Sequence, residues 1–93
     1  MVKHIVLFKL KSQDDRARAL DALRGMKGKI DGLLDLDAGE DFLSSDRSFD
    51  IALTCILKDK AALDFYQAHP IHQPVKKLMH ELREKSVAVD YEI

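Results

Sequence analysis

Apolar and polar positions follow two rhythms along this chain. In Val2 to Leu10 both alternating sets are apolar, Val6, Phe8 and Leu10 on one and Ile5 and Leu7 on the other, which predicts a strand buried on both faces. Ser12, followed three residues later by Asp15, resembles a capping box with Asp in place of Glu. It predicts a helix from about Gln13 to Lys29 whose inward stripe is Ala19, Leu20, Leu23, Met26 and Ile30, weakened in its second half by Gly25 and Gly28. Leu33 to Phe42 opens as an apolar/acidic alternation that Gly39 interrupts, the pattern of an edge strand with a bulge or bend. The polar turn Ser44 to Ser48 joins it to a third strand, Phe49 to Leu57, as a hairpin. Asp59 then caps a second helix through Phe65 and Tyr66. That helix must end at His69, because Pro70 disfavours α geometry in the residue before it. After Pro74, Val75, Leu78, Met79 and Leu82 resume a one-face helical pattern, and Ser86 to Ile93 alternates as a final strand.

The order is β-α-β-β-α-β, which predicts a ferredoxin-like α+β fold: a four-stranded antiparallel sheet with its helices on one face. The set Val6, Phe8, Phe49, Ile51, Leu53 and Cys55 then reads as an apolar face that no third helix exists to cover. A patch of that size is rarely left in water, so a second copy of the chain is expected to cover it. Two sheets packed this way form a homodimeric α/β barrel, with room near the sheet ends for a small ligand.

Ninety-three residues, 46% apolar and 33% charged, make residues 1–93 a single domain. The net charge of -1 is too balanced for nucleic-acid binding, and no apolar run approaches the ~20 residues a membrane span requires. Met1-Val2-Lys3-His4 leads straight into a strand pattern without the features of a signal peptide, so a cytoplasmic location is expected. The single cysteine, Cys55, excludes an internal disulfide and a thiolate zinc cluster. There is no motif for phosphate, nucleotide, haem or flavin, and no cofactor is expected. His4, His72 and Asp90 would satisfy a mononuclear ligand count, but they lack motif spacing, so no metal is expected either.

Polar chemistry concentrates in Phe65-Tyr66-Gln67-Ala68-His69-Pro70-Ile71-His72, at the break between helices, where functional groups are commonly mounted. Together with the opening Lys3-His4-Ile5-Val6-Leu7-Phe8-Lys9 and the closing Val87-Ala88-Val89-Asp90-Tyr91, the segment Tyr66-x-x-His69-Pro70-x-His72 resembles the stress-responsive dimeric α/β barrel family over the full length. The resemblance implies a homodimer with a pocket between each sheet and its own second helical region. It does not imply one activity. Most members have no assigned reaction, some plant members are linked to stress tolerance or defence, and one branch cyclises polyketide chains by aldol condensation. In that branch the working residues correspond to His4, Tyr66 and His72, together with a strand-three histidine where this chain has Ile51. Asp90 matches the position from which the family's aspartate orients the histidine at His72.

A carboxylate that accepts from one imidazole nitrogen fixes the tautomer and raises the basicity of the other, which is what a general base requires. His72 with Asp90 is therefore the sharpest candidate pair, and its alternative is a buried polar tie between the helix break and the last strand. Tyr66 can polarise a carbonyl oxygen or serve as core packing, and His4 can be catalytic or a structural histidine. His69 is expected to help terminate its helix, and His80 and the Lys76-Lys77 pair to be solvated. Three readings stay open. One is a pocket for a small, mostly apolar or carbonyl-containing ligand, lined by His4, Val6, Phe8, Ile51, Leu53, Tyr66, His72 and Asp90. Another is a cofactor-free cyclase or lyase using His72 and Asp90 as general base, and the last is a structural stress-related protein without a ligand.

Overall fold

The computed structural model describes residues 1–93. Its elements are β1 (Val2–Leu10), α1 (Arg16–Arg24), β2 (Leu33–Glu40), β3 (Ile51–Leu57), α2 (Lys60–Ala68), α3 (His72–Leu82) and β4 (Arg83–Glu92). The strands form one antiparallel sheet in the order β2-β3-β1-β4, so the first and third strands are central as the ferredoxin-like pattern requires. No helix is long and apolar enough to cross a membrane.

The first helix is shorter than its periodicity suggests. A 3-10 turn at Gln13–Asp15 precedes α1, which stops at Arg24, and residues 25–32 continue as turns with Gly28 and Gly32 at φ +77° and +83°. Ser12 is the cap as expected, but it accepts from the Asp14 N–H at 3.2 Å rather than from that of Asp15, as a capping box would have it. Met26 and Ile30 are nonetheless buried, because the turns carry them over the same core that α1 covers. Gly32 is required here: a Cβ at that position would lie 2.8 Å from the Cβ of Ala62 in α2. Gly39, by contrast, pairs regularly with Ala52, and the irregularity in β2 lies between Leu33 and Asp35.

In the helix-covered face of the sheet, Val2, His4, Val6 and Phe8 stand opposite Leu57, Cys55, Leu53 and Ile51, and against them pack Leu20, Leu23, Tyr66, Met79 and Leu82. Burial of such side chains is the main stabilising term, roughly 1.5–3 kcal/mol for each large one. The expectation that Val6, Phe8, Ile51, Leu53 and Cys55 form an uncovered face is thus corrected: the chain's own helices cover them, and Phe49 falls before β3, beneath the Lys85 ammonium. Both sides of β1 are apolar, so periodicity could not say which side meets the helices. The uncovered side is built of Ile5, Leu7 and Ile56 with Val87, Val89 and Tyr91, where Leu7 pairs with Val87 and Ile5 with Val89. Val87 and Val89 are 50% and 54% exposed.

At the other end of the sheet Asp50, 7% exposed, gathers three elements. Its Oδ2 accepts the Leu10 N–H of β1 at 2.7 Å, and its Oδ1 accepts from Arg16 Nη2 of α1 at 3.2 Å. Arg16 also donates to the Asp41 carbonyl just after β2, at 2.6 Å. Burial alone would raise the Asp50 pKa, but the Leu10 N–H, the Gln13 side chain and the Arg16 guanidinium outweigh it and hold the carboxyl below its ordinary 3.8.

Candidate functional site

The helix break is built by local chemistry. Asp59 caps α2 through the Ala62 N–H at 2.8 Å, and the helix ends at His69, whose backbone is extended (ψ 138°) ahead of Pro70. His69 Nδ1 accepts the Ile71 N–H at 3.0 Å, and its carbonyl receives the N–H of His72 at 2.9 Å, which starts α3. Pro74 lies inside the first turn of α3 rather than before it, and is tolerated because N–H groups there have no intrahelical partner. The helix therefore begins at His72 and turns that side chain inward.

The two helices and β3 leave β4 uncovered, and a cavity of about 600 Å³ opens between α3 and the strands β1 and β4. Val6, Phe8, Ser86 and Ala88 floor it, Leu53 and Met79 close its depth, and His4, Tyr66 and His72 stand at its inner end. The predicted pocket residues His4, Val6, Phe8, Leu53, Tyr66 and His72 thus come together. Ile51 does not: it is 2% exposed in the core beyond Phe8 and does not line this cavity. Asp90 lies outside the lining too, behind His4.

The pairing of Asp90 with His72 is corrected. The β1–β4 register sets Asp90 directly opposite His4, and the Asp90 carboxylate accepts from His4 Nδ1. His72 Nδ1 instead lies 3.0 Å from the backbone carbonyl of Tyr66. A carbonyl only accepts, so this nitrogen carries the proton and Nε2 bears the lone pair. Neither His4 Nε2 nor His72 Nε2 has a partner in the protein, yet no buried side-chain nitrogen or oxygen is left unpaired. Both nitrogens are therefore accessible, and they open into the cavity that the two residues line.

Between the two imidazoles stands Tyr66, stacked on His72 with ring centroids 4.2 Å apart and edge-on to His4 at 5.9 Å. Its ring borders the cavity but it exposes none of its surface, and the Cys55 thiol donates to its hydroxyl with an Sγ–Oη distance of 3.8 Å. Burial pushes the Cys55 thiol up to about 11 and the Tyr66 phenol well above its ordinary 10.0, so both stay protonated at neutral pH. The phenol hydroxyl thus meets Cys55, while the ring packs against both histidine rings.

Burial also lowers the pKa of His72, and the bond to the Tyr66 carbonyl offsets this only in part, leaving it at about 4. Because the folded value lies below the ordinary 6.5, the fold favours the neutral ring. That contribution is complete above about pH 6.5 and is lost as pH falls toward 4. Stability followed by urea unfolding should drop across this window by on the order of 1–3 kcal/mol, and His72→Gln, whose amide can still donate to the Tyr66 carbonyl, should flatten the drop. An unchanged slope in the variant would exclude His72 as its source.

Sequence reading missed the cavity's outer wall, formed by Gln73, Lys76, Lys77 and His80 of α3 and by Arg83. The three- and four-residue spacing from His72 and Gln73 places these side chains along one helical flank, a signal that the absence of a visible floor had hidden.

Comparisons with known proteins agree with this architecture. The chain is 32% identical over 97 residues to an uncharacterized protein of Streptomyces coelicolor, with 99% of each covered. A dimeric protein of unknown function and ferredoxin-like fold from Bacteroides fragilis is 28% identical, with a TM-score of 0.85 over 99% of this chain and 95% of that one. A hydroxynitrile lyase from Passiflora edulis, 21% identical, shares the fold with a TM-score of 0.84 over 99% and 92% of the two chains. Residues 2–93 match the model of the stress responsive A/B barrel domain, and the chain belongs to that family.

Proposed function

We propose that the protein binds a small, mostly apolar ligand carrying a hydrogen-bond donor or a carbonyl group in the cavity beside α3. The observation behind this reading is the pair of imidazole Nε2 nitrogens, those of His4 and His72, that have no partner in the protein and open into an apolar-floored space of about 600 Å³. A structural core would pair such ring nitrogens within the protein, whereas here they are left accessible on a largely apolar surface, where a ligand's polar group can meet them. Two copies pair through the uncovered sheet face, where Ile5, Leu7, Val87 and Val89 would otherwise meet water. The dimeric state described for the Bacteroides fragilis relative supports this pairing.

A second reading is favoured by one contact. The Asp90 carboxylate holds His4 Nδ1 as donor and so presents Nε2 as a base, the arrangement that removes a proton beside a carbonyl. His4 takes the role that the sequence assigned to His72.

Acetonaphthone, an apolar methyl ketone, tests both readings. Its titration should move the ring resonances of His4 and His72, and Ala88→Trp, which fills the cavity floor, should abolish the effect. Rings that do not move in the wild type would overturn the binding proposal. If the second reading holds, the bound ketone's methyl group takes up solvent deuterium faster than in buffer, and Asp90→Asn removes the excess. No excess exchange in the wild type would leave binding without catalysis.

A further inference from the structure

The cavity carries a charge asymmetry at odds with the chain as a whole. Acidic residues outnumber basic ones, sixteen to fifteen. Yet the cavity is lined by Lys76, Lys77 and Arg83 together with His80, and by no aspartate or glutamate. None of the three permanent cations is paired with a carboxylate. Lys76 donates to the Gln67 carbonyl at 3.2 Å and Arg83 to His80 Nδ1 at 3.1 Å, and these neutral partners leave both charges uncompensated. Glu81 and Glu84 are exposed and lie outside the lining, and Asp90 is engaged behind His4.

The cations also have a definite position. Lys76 and Lys77 lie on α3 and Arg83 at the start of β4, where it pairs with Leu10 at the opposite end of β1 from His4, and all three share the cavity with the apolar Val6, Phe8 and Ala88. A molecule that fills the floor with an apolar body and reaches the wall with one anionic group is complementary to both surfaces. We propose that the ligand is an amphiphilic carboxylate, an apolar skeleton bearing a single carboxyl group held by Lys76, Lys77 and Arg83, with its far end at His4 and His72. This rests on the cavity being a binding site, as proposed above, and adds the class of compound that it takes.

Naphthoate and its uncharged isostere naphthamide separate the two ideas. By calorimetry at low salt, naphthoate should bind at least about tenfold more tightly than naphthamide. The preference should shrink as salt shortens the reach of the wall's charges. In a variant carrying Lys76→Gln, Lys77→Gln and Arg83→Gln, the two probes should bind alike, with naphthamide's affinity kept. The three positions are on the surface, and an unchanged melting temperature would show that the variant is folded. Equal binding of both probes to the wild type, or a preference for naphthoate that survives in the variant, would overturn the carboxylate assignment while leaving the cavity a binding site. Binding of neither probe would overturn both.

Discussion

Replacing Asp50 with Ala should cost about 3–5 kcal/mol, measured by urea unfolding at fixed protein concentration. The carboxylate is 7% exposed, and its removal strands two groups at once, the Leu10 N–H that ends β1 and the Arg16 guanidinium that anchors α1. Asp50→Asn sharpens the test. It restores an acceptor for the Leu10 N–H but turns amide donors toward Arg16, so about half of the loss should remain. Since the folded pKa lies below the ordinary 3.8, the carboxylate's contribution persists down to about pH 4 and disappears as pH falls through the folded value. The acid transition below pH 4 should therefore weaken in Asp50→Asn. A cost under about 1 kcal/mol for the alanine variant would show that the three-element junction does not depend on Asp50.

Tyr66→Ala should be comparably damaging, about 3–5 kcal/mol, while Tyr66→Phe should cost about 1 kcal/mol or less. The ring is wholly buried between His4 and His72, and its hydroxyl is bound only by a weak thiol donor, so packing dominates over the polar contact. Removing the ring admits water beside His72, and its titration midpoint should rise from about 4 toward the ordinary 6.5, as read by NMR. A Phe variant as unstable as the Ala variant would mean that the phenol has a role beyond filling space.

How far the chain can be read before folding follows from which interactions are local. The Asp59 cap, the end of α2 before Pro70 and the limits of β1 depend on neighbours in sequence, and these expectations hold. Partners across the sheet are another matter. The alternation of the last strand is legible, but which histidine Asp90 meets depends on the β1–β4 register, which no local pattern encodes. In the sequence Asp50 is one more residue of a strand pattern, since its value lies in meeting Leu10 and Arg16, 40 and 34 residues away. Lys76 and Lys77 read as a solvated edge because their helix flank is solvated. Only the bare strand β4 beside it turns that flank into the wall of a cavity.

The contact between His4 and Asp90 spans 86 residues, from the first strand to the last. On a chain emerging from the ribosome, that site has no existence until nearly the whole domain has been released. Each residue of slippage in β4 also carries its carboxylate to the opposite side of the sheet. The His4–Asp90 contact is therefore a report that the last strand has been made and correctly aligned, and whatever binds only chains with that contact formed would stabilise only those that have passed both checks.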